Sequence, residues 1–157
     1  MGKGPRRCLE SGSHRESRDR EARVVSGLLD TSVVVRYLTG DSLELAEQAA
    51  QIIDGEDDLQ VTDVVLAETA YVLTSVYQVP RDAVVDHLVA FLQKENISPF
   101  GLDKGLVLHG LLLCRPSGRV SFADAMVWAA ARSTSSKVVY SLDERFPSDG
   151  LDVRRNR

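Results

Sequence analysis

Asp124 lies in the stretch "SFADAMVWAAA", among Phe, Ala, Met, Val and Trp. Read as a helix, the stretch puts Val120, Val127, Trp128 and Ala131 within about 60° of its direction. A carboxylate on an apolar face needs hydrogen bonds, a counter-charge or a metal, because the uncompensated desolvation of a charge is too costly for a domain to carry. Glu68 raises the same question inside "DVVLAETAYVL". Val61, Val64, Val72 and Ser75 fall within about 40° of it on a helix, and neither Lys nor Arg stands at i±3 or i±4. Burial linked to a metal or to catalysis is the expectation for this Glu. Asp30 and Asp143 each follow an apolar strand pattern, "VVSGLL" and "KVVYSL".

Each of these acids also has a plainer structural use. A strand-ending Asp30 can cap the next helix, sharing that work with Thr31 and Ser32. Ser121-x-x-Asp124 matches a capping box. Asp143 in "YSLDERF" can open a turn. Taken together, two acids at strand ends and two on helical stripes could converge on one rim of a sheet. Asp30, Glu68, Asp124 and Asp143 are then candidate oxygen ligands for Mg²⁺ or Mn²⁺, hard cations that favour carboxylates and keep waters. A His/Cys set for zinc is absent nearby. The chemistry such a cluster supports is metal-assisted phosphodiester hydrolysis.

The elements that would position these acids follow from periodicity. "VVSGLL", "DLQVT", "ISPF" and "KVVYSL" read as short strands, and "LDV" as a last edge strand. Between them "TSVVVRYL", "SLELAEQAAQIID", "DVVLAETAYVLTSVY", "RDAVVDHLVAFLQKE", "LDKGLVLHGLLLC" and "SFADAMVWAAARS" read as helices. Pro80 and Asp82 suit a helix start, and Gly55 and the "RPSG" turn suit helix ends. Strands alternating with helices predict an α/β fold, three layers with a central parallel sheet. Ligands of such sheets bind at the carboxyl ends of the strands, where Asp30 and Asp143 stand.

With 157 residues the chain fits one domain, placed over residues 24–157. Residues 1–23 carry seven Lys/Arg and four Asp/Glu and almost no aliphatic side chains, leaving 12 against 19 for the rest. Such a lead cannot bury enough to order itself. It reads as a disordered extension, an expression remnant, or sequence upstream of a start site placed too early; a basic RNA-contacting arm is the sharper alternative. The acidic body argues against a simple electrostatic nucleic-acid binder, though not against an enzyme whose acids reach phosphate through divalent metals. Apolar runs fall short of a membrane span, and the N-terminus lacks a secretory apolar segment, so a cytoplasmic protein is expected. Cys8 and Cys114 are expected as unpaired thiols.

"GLLDTSVVVRYLTGD", "LAETAYVL" with "YQVPRDAV", "SFADAMVWAAAR" and "VVYSLDERF" resemble, in order and spacing, PIN-domain ribonucleases of the VapC toxin type, over about residues 26–146. The acids are 38, 56 and 19 residues apart in sequence. The resemblance implies an Mg²⁺- or Mn²⁺-dependent site in which Asp30 matches the acid after the first strand, Glu68 the helical Glu, Asp124 the third acid and Asp143 the acid after the fourth strand. Ser141 stands where the family often has a Thr that supports the site. Arg145 departs from the family's further acid at that position. The resemblance further implies an endoribonuclease toxin using metal-activated water to leave a 5′-phosphate and a 3′-hydroxyl. It also implies a homodimer and a small antitoxin crossing the site.

A non-catalytic PIN-like module binding a basic protein partner is the alternative. A phosphohydrolase of the haloacid-dehalogenase type is disfavoured because Thr31 and Ser32, not an Asp-x-Asp pair, follow the first strand. His14, His87 and His109 suggest no general base, and Trp128 is expected in the core rather than stacked on a base. Arg36, Arg115, Arg119 and Arg132 are candidate phosphate contacts that as a class are more often solvated charges.

Overall fold

A computed structural model describes residues 25–155. The described elements run β1 (Val25–Leu29), α1 (Thr31–Thr39), α2 (Leu43–Ile53), β2 (Asp58–Val61), α3 (Asp63–Ser75), α4 (Arg81–Leu92), β3 (Ile97–Pro99), α5 (Lys104–Leu113), α6 (Phe122–Ser133), β4 (Val138–Tyr140) and β5 (Asp152–Arg154). The reading of the N-terminal 23 residues, with Cys8, lies outside the described residues. No helix among the described residues is long and apolar enough to cross a membrane.

The fold is α/β, with a parallel sheet flanked by helices. β1, β2 and β3 pair in that order, Leu29 lying opposite Val61 and Val61 opposite Pro99. Strand residues that face the helices are the apolar ones: Leu59 and Val61 on β2 and Ile97 on β3 are buried. β4 and β5 form a separate parallel pair, with Tyr140 opposite Arg154. The single sheet expected from periodicity is therefore divided, among the described residues, into a three-stranded and a two-stranded piece. β4 is also shorter than "KVVYSL", because Ser141 leaves the strand: its N–H donates to Arg154 O at 3.0 Å, and its Oγ accepts from the Asp143 N–H at 3.1 Å, turning the chain.

Helix registers set what each helix buries. α3 turns Leu66, Thr69, Ala70 and Leu73 inward, and α4 turns Val84, Val85, Leu88, Phe91 and Leu92. α6 buries Phe122, Ala125, Met126, Trp128 and Ala129. Each large apolar side chain removed from water contributes about 1.5–3 kcal/mol, which is how short strands and helices are held. Trp128 is fully buried as expected, and its Nε1 donates to Asp149 O at 2.9 Å. α3 packs against α1, α4 and α6, and α5 against α6. That last approach is close: a Cβ at Gly110 would stand 2.9 Å from Ala125 O. Gly40, at φ 63, ends α1 in the left-handed region that suits glycine. Cys114 is a buried unpaired thiol, pushed up to about 11 by burial.

Candidate functional site

Asp30 closes β1 and caps α1. Its Oδ2 accepts from Ser32 N at 3.2 Å and from Ser32 Oγ at 2.7 Å. These bonds, the hydroxyl first, hold its carboxyl below the usual carboxylate range. The next residue makes the link to α3: Thr31 Oγ1 donates to Glu68 Oε2 at 2.5 Å. One short segment after β1 thus presents Asp30 and, through Thr31, fixes one oxygen of Glu68.

Glu68 is exposed, not buried as its register suggested. The expected stripe is the wrong one: the core-facing residues of α3 are Leu66, Thr69, Ala70 and Leu73, all about 100° or more around the helix from Glu68, and Val64 beside Glu68 is 68% exposed. Asp124 requires a similar correction. It is half-buried, and of its expected neighbours Trp128 is buried while Val127 is 49% exposed. As the third residue of α6 it stands in the first turn, at the edge of the apolar face rather than within it. Ser121 caps that turn. Its Oγ accepts from Asp124 N at 3.0 Å and donates to Asp124 Oδ2 at 2.7 Å. The capping-box pairing exists, but the carboxylate meets the hydroxyl rather than the backbone N–H of Ser121.

Asp143 lies in the turn after β4 and is exposed. Arg145 occupies its Oδ1, through the amide at 2.8 Å and Nε at 3.4 Å. The Arg145 amide foremost lowers its pKa. Ser141 meets the Asp143 amide rather than its carboxylate.

α3, carrying Glu68, touches both α1 and α6, whose N-terminal ends carry Asp30 and Asp124. Among the described residues, however, no three His, Cys, Asp or Glu side chains stand close enough to hold one metal ion. The donor chemistry fits Mg²⁺ or Mn²⁺: carboxylate oxygens with hydroxyl support and neither thiolate nor imidazole. The side-chain arrangement is not that of a closed ligand shell. The structural uses of Asp30 and Asp124 as cap and cap partner leave the second oxygen of each carboxylate outside those side-chain bonds.

Three of the candidate phosphate-binding arginines are committed elsewhere. Arg36 pairs with Asp41, Arg115 with Asp86 through two bonds of 3.0 Å, and Arg132 donates to Asp149 O and lies over Trp128. His87 is exposed, and His109 packs its ring on Trp128 with its Nε2 3.9 Å from Asp149 Oδ2. One residue escaped sequence reasoning in its role at this site. Thr31 was readable only as a cap helper, and nothing in the sequence marks Glu68 as its partner.

The PIN domain family matches residues 27–148 of the chain. No curated protein matches it.

Proposed function

The chain belongs to the PIN-domain family, a family of metal-dependent nucleases, and on that premise we propose that it is an endoribonuclease acting as the toxin of a toxin–antitoxin pair in the cytoplasm. The observation that carries the reading is the Asp30–Thr31–Glu68 arrangement at the carboxyl end of β1, inside the matched span and on a helix packed against the one bearing Asp124. In this reading Asp30, Glu68, Asp124 and Asp143 hold Mg²⁺ or Mn²⁺. When bound, the cation neutralises phosphate charge and acidifies water to supply a nucleophile at neutral pH.

The chain's own residues prepare that site. Ser32 holds one Asp30 oxygen, Thr31 fixes one Glu68 oxygen, and the Ser121 hydroxyl orients Asp124. Ser141 supports the Asp143 turn. Asp30, Glu68 and Asp143 are exposed and Asp124 is half-buried, so each carboxylate is open to solvent. The expected products are a 5′-phosphate and a 3′-hydroxyl. A homodimer neutralised by a small antitoxin that presents basic side chains to the acids completes the proposal, and the acidic body suits such a partner electrostatically.

The absence of a three-ligand cluster among the described residues favours a second reading, a non-catalytic module that binds a basic protein through the same acids. Mn²⁺ titration of the purified chain separates the two. The nuclease binds Mn²⁺ and loses it in Asp30→Asn and Asp124→Asn variants that still unfold cooperatively. A folded chain without acid-dependent Mn²⁺ binding supports the module and contradicts the nuclease.

A further inference from the structure

Arg81, the first residue of α4, reaches across to the segment that joins α5 to α6. Its Nε donates to Cys114 O at 2.7 Å, and its Nη2 donates to Val120 O. Cys114 is the C-cap of α5, and Val120 immediately precedes Ser121, the N-cap of α6. One planar guanidinium therefore ties the end of one helix to the start of the next, closing the loop between them. Its central carbon also lies 4.5 Å from the centroid of the Phe122 ring, the first residue of α6. Carbonyls at a helix C-terminus have no partner within the helix and attract a cation, so the Cys114 end of the fork needs no further explanation. The Val120 and Phe122 contacts do something else: they fix the backbone entering the turn in which Ser121 holds Asp124.

We infer that Arg81 is a positioning residue for the acidic site, setting the direction of the Asp124 carboxylate through Val120, Phe122 and Ser121 without touching the reacting groups. This rests on the nuclease reading for its catalytic consequence, but not for its structural one. Lys cannot replace the function in full, because an ammonium lacks the rigid fork that spans two carbonyls and the planar face that stacks on Phe122. The loop contributes no regular structure of its own, and the Arg81 fork joins Cys114 Sγ, which donates to Ser121 O at 3.5 Å, in tying the end of α5 to the start of α6.

The test compares Arg81→Gln and Arg81→Lys with the native chain. Amide hydrogen exchange at Asp124 and Ala125, whose N–H groups bond to Ser121 Oγ and Ser121 O, reads the turn directly. Exchange there is expected to speed up roughly 10-fold or more in Arg81→Gln, with amides of α3 unchanged and partial recovery in Arg81→Lys. Mn²⁺ affinity and kcat on RNA fall roughly 10- to 100-fold in Arg81→Gln at unchanged KM. Unchanged exchange at Asp124 and Ala125 overturns the inference whatever the activity, as does faster exchange spread equally over α3. A native chain that neither binds Mn²⁺ nor cleaves RNA defeats the nuclease reading, while the exchange result still decides whether Arg81 sets the turn. If Arg81→Gln does not fold, Arg81→Lys carries the test alone: native exchange and native Mn²⁺ affinity in that variant overturn the inference.

Discussion

At the scale of residues, the account turns on which oxygen of each acid is already held. Thr31 fixes one Glu68 oxygen across 37 positions of sequence, a contact no local pattern encodes. Thr31→Val keeps the shape and removes the donor. Mn²⁺ affinity is expected to drop 10- to 100-fold, as when a group orienting a ligand is lost. The exposed bond itself should cost only about 1 kcal/mol of stability. A titration showing native affinity in that variant removes Thr31 from the site. The four acids were visible in the sequence because their types and spacing matched a chemistry, but their burial was not. Helical-wheel geometry gives direction around an axis, and only packing decides which direction is the core. In α3 that choice went to Leu66, Ala70 and Leu73, leaving Glu68 in solvent. Asp124 is half-buried rather than set within the apolar face for a related reason, since a residue in the first turn has few helical neighbours on its N-terminal side.

At the scale of elements, the helices and strands were legible because their periods and end signals agree. Pro80, Asp103 and Ser121 each stand at the N-cap of a helix. The pairing of strands was less legible, since hydrogen bonding between distant segments leaves no periodic trace, and β4–β5 separates from β1–β2–β3. The contact of α5 with α6 makes a prediction of its own. Gly110→Ala gains helix propensity worth about 1 kcal/mol, yet forces a methyl to within 2.9 Å of the Ala125 carbonyl, a backbone atom that cannot swing away. Overpacking is expected to dominate, lowering stability by about 1–3 kcal/mol in denaturant unfolding. A variant more stable than the native chain shows that the two helices move apart without cost.

At the scale of the whole molecule, polar links outside the core tie α1 and its following turn to the segment after α3. Asp41 accepts from Arg36, from Tyr77 Oη at 2.5 Å and from Thr39 Oγ1 at 3.2 Å. The Arg36 bond first, then Tyr77, lowers its pKa from 3.8 to about 2. A depressed carboxyl pKa favours the fold fully above 3.8, and the contribution disappears as pH falls toward about 2. The melting-temperature gap between the native chain and Asp41→Asn should therefore be present at neutral pH and close across that acid range; a gap independent of pH refutes the link. The uneven charge of the chain, basic over residues 1–23 and acidic beyond, was readable from composition alone, whereas the bringing together of α1, α3 and α6 required the fold. The central claim is that this fold gathers acids for metal-dependent RNA cleavage. Its most direct test is cleavage of single-stranded RNA by the native chain and by Asp124→Asn, each with Mg²⁺ and with chelator. The account predicts cleavage by the native chain in Mg²⁺ alone, leaving 5′-phosphate ends, and none by the folded variant. Equal Mg²⁺-dependent cleavage by Asp124→Asn would contradict it.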